Sequence, residues 1–531
     1  MNKVLGIAPL ALIALMAGAC SDDDDAVETG KPDGGAPDSS APDAGPRDAG
    51  PTPGPDGGID AGALDAGQDA AVPQDANVPD SRVPGVTSSA SAYLVPVAAG
   101  VQTKALLTVG DAVGTKPNGQ PYRLVGIPDG LGAKDNGNGT FSVFMNHELT
   151  GTAGIARAHG GTGAFVSQWD IRKDDQHVLA GKDLIQSVQL WDATTSSYKL
   201  GSNVAFGRFC SADLAPKSAL FHAGVGFDGE LFLDGEETGD EGRALAHGLD
   251  GVTYELPRLG KASWENLVAS PKASAKTIVI GMDDTSPTGQ VYVYVGTKTN
   301  TGSAVEKAGL TNGTLYGVAV PGVAAEDPVS GIGVGTFTLA SLGNVENQTG
   351  AAIAAAGDTA GVTGFLRPED GAWDPSNPND FYFATTASVT TASRLWRLRF
   401  TNLEQPELGG SITAVLDGSE GQKMLDNLTI DPRGHILLTE DVGNNDHIGR
   451  VWRYTIANDT LVEIAQHDPT RFMPGAAAFI TRDEESSGIL DATNLLGAGW
   501  FLIDVQAHVM NSDPELVEQG QLLGIYDPGS L

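Results

Sequence analysis

The stretch "RPEDGAWDPSNPNDFYFATTASVTTASRLWRLRF", residues 367–400, contains the pattern that decides the fold. A polar start is followed by Asp-Pro and a turn, then by the apolar run Phe381–Ala384, and then by an Arg-x-Trp-Arg segment. Short apolar runs between turn residues are typical of buried β-strands. Arg367, Glu369 and Asp370 stand just ahead of these strands, although burying charge beside a core is costly. A metal ion or an anionic ligand would explain these charges, and so would a solvated surface turn.

The same order of features recurs further along the chain. "LDNLTIDPRGHILLTEDVG" is followed by "GRVWRYTI", and "EESSGILDATNLLGAGWFLIDVQ" opens a third copy. Asp426 lies 57 residues after Glu369, and Glu485 lies a further 59 residues on. Repeats of this length with several short strands are typical of propeller blades. We therefore predict an all-β fold, a six-bladed β-propeller with loop insertions. A pair of β-sandwiches is the alternative, but it does not explain the recurring strand order.

The N-terminus predicts a lipoprotein-type signal peptide at residues 1–20. Lys3 precedes an apolar run that is short for a membrane span and that ends in "AGAC". Small residues directly before a cysteine resemble a bacterial lipobox, in which Cys20 is lipidated. An ordinary cleaved signal with a chance cysteine is the alternative. The pattern predicts an extracytoplasmic protein, lipid-anchored to a bacterial membrane of the cell envelope, that meets the membrane only through this lipid.

Residues 21–90 predict a disordered linker rich in Asp, Ala, Gly and Pro. This segment has too few large apolar side chains to offset the entropy of ordering it. The β-propeller domain is predicted at residues 91–531. The chain has a formal net charge of −35, which argues against nucleic acid as a partner and is compatible with bound divalent cations. We expect a monomer.

Acidic residues recur at strand ends and strand entries. They are Glu148, Glu236 with Glu237, Glu369 with Asp370, Glu440 with Asp441, and Glu484 with Glu485. In a propeller, equivalent strand ends meet around a central channel, where carboxylates repel unless cations or arginines compensate them. Hard cations such as Ca²⁺ bind six to eight oxygen ligands of this kind. The sequence therefore predicts an acidic channel that holds cations, and a solvated turn is the alternative for each single pair.

Arg367 and Cys210 are the two candidates that are not carboxylates. The planar guanidinium of Arg367 suits a pair of phosphate oxygens, although a salt bridge to a neighbouring carboxylate explains it equally well. Cys210 has no disulfide partner if Cys20 is lipidated. A thiolate prefers softer metals than Ca²⁺, so Cys210 as a ligand would indicate iron or zinc. A buried, inert thiol is the alternative.

Six motifs occur in order between residues 126 and 508. They are "PDGLGAKDNGNGTFSVFMNHEL", "GRFCSADL", "LFLDGEETGDEGRA", "RPEDGAWDPSNPNDFYFATT", "LTIDPRGHILLTEDVGN" and "WFLIDVQAH". In these motifs the chain resembles the PhoX-type alkaline phosphatase family and its phytase-like propeller relatives. The resemblance implies a six-bladed propeller with a polynuclear iron and calcium site that hydrolyses phosphate monoesters.

The resemblance also implies roles for particular residues. Arg367 and Glu369 match the family's Arg-x-Glu context, Glu236 and Glu237 match its paired glutamates after a strand, and Cys210 matches its cysteine iron ligand. Two features depart from the family. The start "MNKVLG" lacks the arginine pair of a twin-arginine signal, which counts against iron more than against calcium. The tryptophan-rich segment expected before the paired glutamates is replaced by "GVGFDGELFLDGEE".

We therefore predict an extracytoplasmic metal-dependent phosphatase that hydrolyses phosphate monoesters, with Arg367 as the catalytic residue and phosphate-ester small molecules as partners. The predicted cofactors are Ca²⁺ and Fe³⁺. The predicted metal ligands are Glu148, Cys210, Glu236, Glu237, Glu369, Asp370, Glu440 and Asp441. A non-catalytic calcium-binding propeller that binds a partner or glycan is one alternative. A calcium-dependent hydrolase of the lactonase kind is the other.

Overall fold

The computed structural model describes residues 85–531, which are almost entirely β-structure. Up to residue 255 the strands are β1 (Leu94–Pro96), β2 (Gln102–Thr108), β3 (Ala112–Thr115), β4 (Pro121–Arg123), β5 (Pro128–Asp135), β6 (Thr140–His147), β7 (Phe165–Arg172), β8 (Val178–Asp183), β9 (Ser187–Asp192), β10 (Ser197–Leu200), β11 (Asp213–Ala215), β12 (Phe221–His222), β13 (Val225–Gly226), β14 (Leu231–Gly235), β15 (Ala244–Gly248) and β16 (Val252–Glu255).

The remaining strands are β17 (Trp264–Ala269), β18 (Lys276–Asp283), β19 (Gly289–Thr297), β20 (Thr314–Ala319), β21 (Gly335–Gly343), β22 (Gly364–Phe365), β23 (Pro368–Trp373), β24 (Asp380–Thr385), β25 (Arg394–Phe400), β26 (Gly410–Leu416), β27 (Leu425–Ile430), β28 (His435–Glu440), β29 (Arg450–Thr455), β30 (Thr460–His467), β31 (Glu484–Asp491), β32 (Trp500–Ala507) and β33 (Gln519–Tyr526).

Helices are short and lie between strands. The α-helices are α1 (Lys217–Leu220), α2 (Ala304–Lys307), α3 (Gly350–Ala360), α4 (Pro469–Phe472) and α5 (Thr493–Leu496), and single 3₁₀ turns lie at Pro257–Leu259, Pro406–Leu408 and Pro528–Ser530. Within the described residues, no helix is long and apolar enough to span a membrane.

Strand pairing within residues 85–531 groups most strands into six antiparallel units, which we name blades one to six. From the inner strand outward they are β5-β6-β7-β8, β11-β14-β15-β16, β17-β18-β19-β20, β23-β24-β25-β26, β27-β28-β29-β30 and β31-β32-β33-β2. The predicted all-β class is confirmed, while the count of six blades stays our interpretation of this pairing. Blade six is completed by β2, so an early strand pairs with the last strand of the chain.

The inner strands of the six blades contact one another in a closed circle. The order of contact is β5, β11, β17, β23, β27, β31 and back to β5. A separate apolar cluster lies between each neighbouring pair of blades, including blades six and one. All four residues of the run Phe381–Ala384 in β24 are apolar because both faces of this strand are buried. Phe381 and Phe383 pack toward blade three, whereas Tyr382 and Ala384 pack toward blade five, because successive side chains point to opposite faces.

The predictions for residues 1–84, which include the signal peptide, the lipidation of Cys20 and most of the linker, lie outside the described residues. Within the predicted linker, Val86 forms an isolated bridge to Val178 on β8. The first two copies of the predicted repeat correspond to blades four and five, and the third copy corresponds to β31 and β32 of blade six. Trp396 in β25 and Trp452 in β29 occupy equivalent places in their blades, each two residues after an arginine that begins the strand.

Candidate metal centre

Six buried side chains lie at the same end of the channel, one from each blade. They are Asp129, Cys210, Glu265, Glu369, Asp426 and Glu485, and we name this set the channel ring. Five of them are the second residue of an inner strand, and Cys210 lies just before β11. Each is less than 9% exposed to solvent. The channel ring therefore follows directly from the repeat of the blades.

Irregular strand pairing accompanies the ring residues. The register shifts between Asp129 and Leu131, between Trp264 and Asn266, and likewise at the start of β23, β27 and β31. A β-bulge of this kind bends a strand and re-aims a side chain, and bulges are common beside active sites. The bulges allow a strand that is otherwise buried on both faces to present one carboxylate to the channel.

The backbone just ahead of the ring is strained in four blades. Ile127, Arg208, Arg367 and Met424 have φ values of 50°, 31°, 56° and 43°, and each lies two residues before a ring residue. Residues other than glycine rarely adopt a positive φ, and one such residue costs about 1 to 3 kcal/mol. This strain recurs at the entry to one end of the channel, which is typical of a functional site.

Three groups of ring and neighbouring side chains could each hold a metal ion. In each group the ligand atoms lie within 4.8 Å of one another. The groups are Asp129 with Glu148 and Cys210, Cys210 with Glu237 and Glu265, and Glu265 with Glu369 and Asp426. Cys210 and Glu265 each belong to two groups, so the three groups form one continuous arc.

Glu148, Glu237 and Asp441 come from the next strand of their blades. Glu148 follows β6, Glu237 follows shortly after β14, and Asp441 follows β28 and forms a bridge to Glu485 of the ring. The structure thus brings five predicted ligands, namely Glu148, Cys210, Glu237, Glu369 and Asp441, to one end of the channel.

The charges of this site are not compensated by the chain alone. Burial, and next the neighbouring carboxylates, raise the pKa of Asp129, Glu265 and Asp426 well above the ordinary range. Burial also raises the pKa of Glu237 to about 7, although Arg208 opposes this effect. A protein that keeps several carboxyls this close together is stabilised by whatever cation binds between them.

Glu485 is the exception within the ring. Burial is the largest influence and acts to raise its pKa, but the hydrogen bond and charge of His508, a hydrogen bond from Ser487 and the charge of Arg208 together outweigh burial, so the pKa lies below its usual value. The Nε2 atom of Gln506 lies 2.9 Å from Asp129 Oδ2, 3.0 Å from Glu148 Oε2 and 3.3 Å from Glu485 Oε1, and its two hydrogens are shared among these acceptors. Gln506 therefore ties blade six to blade one at the ring.

The donor set fits metal ions. The side-chain oxygens of Asn146 and Asn427 and the Oε1 atom of Gln506 are buried with no hydrogen-bond partner among the described residues. Buried amide oxygens and carboxylates are the ligands that Ca²⁺ takes. The Cys210 thiol lies 3.5 Å from Asp129 Oδ2, and burial raises its pKa well above the usual value. Cys210 belongs to two of the three candidate ligand groups, and its sulfur, once deprotonated, suits a softer transition metal.

Two arginines form salt bridges with carboxylates of the channel ring or beside it. Arg367 donates through Nε to Asp284 Oδ1 at 2.8 Å and through Nη2 to Asp284 Oδ2 at 2.5 Å, and Nη2 lies 3.3 Å from Glu369 Oε1. Arg208 Nη2 lies 2.6 Å from both Glu148 and Glu237. The salt bridge that the sequence allowed for Arg367 is therefore present. This salt bridge orients the guanidinium beside the groups that could hold metal ions.

Three predicted ligands are held elsewhere by the protein. Glu236 accepts from Arg243 Nε at 2.5 Å and from the backbone N–H of Gly207 at 3.0 Å. Glu440 accepts from Trp452 Nε1 at 2.8 Å and lies 2.7 Å from His447 Nε2. Both side chains join neighbouring segments and take no part in the three metal-ligating groups of the described chain.

Asp370 also points away from the channel ring. Its Oδ1 atom accepts from Asn266 Nδ2 at 2.5 Å and from the N–H of Gly371 at 2.6 Å, and its Oδ2 atom accepts from the N–H of Leu428 at 3.0 Å. Glu369 and Asp370 are adjacent in a strand, so one faces the ring while the other bonds blades three and five.

Sequence reasoning missed Asp129, Glu265, Asp284 and Arg208 as site residues, and it noted Asp426 by its spacing and Glu485 by its acidic pair without assigning either as a ligand. The signal was present, because the spacing from Glu369 to Asp426 and on to Glu485 is the spacing of the ring itself. Likewise "GRFC" and "LRPE" both place an arginine two residues before a ring residue. A search for acidic pairs overlooks single acids in equivalent positions.

The fold and the site define an all-β, propeller-like protein with a candidate polynuclear metal centre at one end of its channel. No protein-family profile matches the sequence, and no curated protein matches it. Among solved structures, PhoX of Pseudomonas fluorescens, determined with vanadate as a transition state analogue, is similar with a TM-score of 0.60. At 11% identity, the match covers 84% of this chain and 98% of PhoX. This similarity confirms the predicted PhoX-like fold.

Two other solved structures match at lower TM-scores. Sqt1 of Chaetomium thermophilum has a TM-score of 0.35 at 7% identity, covering 76% of this chain and 97% of that one. A mutant sialidase of Trypanosoma rangeli has a TM-score of 0.33 at 10% identity, covering 84% and 60%. At these TM-scores neither comparison bears on the fold or the function.

Proposed function

We propose that the protein is a metal-dependent phosphatase that hydrolyses phosphate monoesters. The observation that carries the proposal is the position of Arg367 and Arg208, each of which touches both a metal-ligating glutamate and a second carboxylate. A phosphate oxygen that binds a cation at the ring would therefore lie within reach of a guanidinium. Arginine is well suited to this role, because its planar donors match a pair of phosphate oxygens.

The similarity to PhoX supports the proposal through the fold. That protein was solved with vanadate, described as a transition state analogue, and the match spans nearly its whole length. The charge of the site gives a second, independent argument. A ring of carboxylates alone would repel a phosphate monoester, so binding requires the cations that these carboxylates fit and the two arginines beside them.

Each part of the site has a distinct task in the proposed reaction. Bound cations would supply Lewis acidity toward the phosphate oxygens and lower the pKa of a bound water. Glu148, Cys210, Glu265 and Glu369 would hold those cations. Arg367 would stabilise the charge on the phosphoryl oxygens in the transition state, and its bidentate pair with Asp284 would fix its orientation beforehand.

The nature of the metals remains part of the proposal. The group of Glu265, Glu369 and Asp426 is all carboxylate and suits Ca²⁺. The two groups that share Cys210 include a thiolate donor, and they suit Fe³⁺ better than Ca²⁺. The N-terminal sequence with Cys20 supports an extracytoplasmic protein that is lipid-anchored to a bacterial membrane, and the acidic composition supports a monomer that binds no nucleic acid.

The test is hydrolysis of p-nitrophenyl phosphate by the full chain, purified without chelator and analysed for bound metals. We expect EDTA to abolish hydrolysis. We expect Arg367→Ala to lower kcat by about 100-fold or more with the metal content unchanged, because a transition-state contact is lost. Arg399→Ala is the matched control, since Arg399 also forms a bidentate pair, with Asp380, but away from the ring.

Other results would select one of the alternatives. Bound calcium without hydrolysis of phosphate esters would contradict the proposal and favour a calcium-binding propeller. Calcium-dependent hydrolysis of lactones in place of phosphate esters would favour the lactonase kind of hydrolase. Equal activity of Arg367→Ala and wild type would remove the assigned role of Arg367.

A further inference from the structure

A second site lies at the opposite end of the same channel. A cavity of about 280 Å³ is lined there by residues of all six inner strands, and we name it the far cavity. Its walls include one apolar residue from each strand, namely Leu131, Leu214, Val268, Trp373, Ile430 and Ile489. Asp426 and Ile430 lie near the two ends of β27, and four residues of strand span about 13 Å. The apolar wall of the far cavity thus lies beyond the channel ring along the strands, while Asn266 and Asp370, which also line the cavity, directly follow the ring residues Glu265 and Glu369 in sequence.

Two carboxyl groups line the far cavity, and they differ in their partners. Asp370 is fully engaged by the side chain of Asn266 and by the backbone N–H groups of Gly371 and Leu428. Asp213 is half-buried and is held by the backbone of Ala269. No described side chain forms a hydrogen bond or an ion pair with Asp213. Its carboxylate therefore retains acceptor capacity in a cavity whose other polar side chains, Asp370, Asn266 and Thr429, are hydrogen-bonded within the protein.

The chemistry of the far cavity restricts its ligand. Anions are disfavoured because both charged groups that line the cavity are carboxyls. A divalent metal ion requires six or more oxygen ligands, and the side-chain oxygens of Asp370, Asn266 and Thr429 that line the cavity already accept hydrogen bonds within the protein. A small organic cation satisfies both conditions, since its ammonium group would pair with Asp213 and its apolar part would contact the walls.

We propose that the far cavity binds a small organic ammonium ion, with Asp213 as its charged partner. The inference goes beyond the proposed phosphatase function and does not depend on it. The strong net negative charge of the chain raises the local concentration of cations at its surface, which supports such a ligand. Burial and the neighbouring Asp370 raise the pKa of Asp213 to about 7, and an ammonium group beside it would favour the ionised carboxylate.

Isothermal titration calorimetry tests the proposal with three probes that share one alkyl chain. The full chain, first saturated with calcium so that the ring is occupied, is titrated with hexylammonium, hexan-1-ol and hexanoate. We expect hexylammonium to bind about tenfold or more tightly than hexan-1-ol, because a hydrogen bond between an ammonium group and a carboxylate is stronger than one from a neutral hydroxyl. We expect no binding of hexanoate.

Two variants assign the binding to the far cavity. Asp213→Asn keeps the shape of the side chain but removes its charge, and should weaken hexylammonium binding about tenfold or more. Ala372→Phe places a ring in the cavity and should abolish binding. Asp174→Asn, at an exposed position, is the matched control and should bind as wild type does. Thermal unfolding of each variant verifies that it is folded.

The proposal is overturned by any of three outcomes. If hexan-1-ol bound as tightly as hexylammonium, the cavity would recognise the alkyl chain and not the charged group. Unchanged affinity in Asp213→Asn would place the ammonium elsewhere. Absence of binding to the wild type up to about 10 mM would mean that the cavity holds only water. None of these outcomes affects the proposed hydrolysis at the ring.

Discussion

The two ends of the channel are built from the same six strands and have opposite chemistry. At the entry of these strands lie five carboxylates and a thiol with positive-φ residues ahead of them in four blades. At the exit lie aliphatic side chains, Trp373 and a single half-buried carboxylate with spare acceptor capacity, Asp213. The comparison shows that bulges confine the charged chemistry to one end, while regular pairing beyond them restores an apolar wall.

Removal of metal ions should have the largest effect, and it should act on the ring end alone. Without cations, the ring carboxyls with raised pKa bind more protons in the folded chain than in the unfolded chain. The metal-free protein should therefore lose stability as the pH rises from about 4.5 through about 7, the pKa to which burial raises Glu237. Glu485, whose pKa is lowered, acts in the opposite direction only at about pH 4.5 and below, outside this window.

Denaturant unfolding between pH 5 and pH 8, with EDTA or with calcium, measures this effect. Glu237 alone corresponds to roughly 3 kcal/mol across that window. Calcium at about 1,000 times its Kd should return about 4 kcal/mol per site and flatten the pH dependence. A metal-free chain that becomes more stable as the pH rises would contradict the assignment of uncompensated carboxylates.

Substitution of two adjacent residues should separate the two ends sharply. Glu369→Gln should lower hydrolysis of p-nitrophenyl phosphate by about 100-fold or more and reduce the bound metal, because a ligand of the ring is lost. Asp370→Asn should leave the metal content unchanged and lower the free energy of unfolding by about 1 to 3 kcal/mol, because its three donors lose an ionised acceptor. Elemental analysis with steady-state kinetics checks both variants, and metal loss in Asp370→Asn would instead place Asp370 in the centre.

Filling the far cavity should have the smallest effect on the ring. Ala372→Phe lies at the exit of β23 and should change kcat and KM for p-nitrophenyl phosphate by less than about twofold, since distant sites act independently. A loss of activity much larger than this, in a folded variant with full metal content, would show that the two ends are coupled through the inner strands.

The sequence repeat predicted much of the fold because the strands and turns that recur in it depend on residues close together in the chain. Strands buried on both faces, such as Phe381–Ala384, need continuous apolar residues, and their turns need Asn, Asp, Gly and Pro. The helix α3 is also set locally, because the side chain of its N-cap Thr349 accepts a hydrogen bond from the backbone N–H of Ala352. These features are set by neighbours in sequence, so they are legible before the chain folds.

The candidate site was only partly predictable. Glu148, Glu237, Glu369, Asp441 and Arg367 were chosen because charge beside a core strand is costly, and Cys210 because it has no disulfide partner if Cys20 is lipidated. The structure brings all six to one end of the channel. Glu236, Asp370 and Glu440 satisfied the same criterion, yet their cost is met by Arg243, by backbone N–H groups and by Trp452. Adjacent acids cannot be separated by composition, because only the pleat and the bulges decide which one faces the channel.

The sequence by itself determined the strands, the repeat and the strong negative charge of the chain. Only the tertiary structure decided which acids meet, because Asp129 and Glu485 lie far apart along the chain and become neighbours when blades six and one pack together. The same closure forms the far cavity, which gathers residues from motifs far apart in the chain, such as Asp213 of "GRFCSADL" and Trp373 of "RPEDGAW". Features that depend on neighbours in sequence can be predicted from the sequence. A site formed where six inner strands meet exists only once these strands close into a circle.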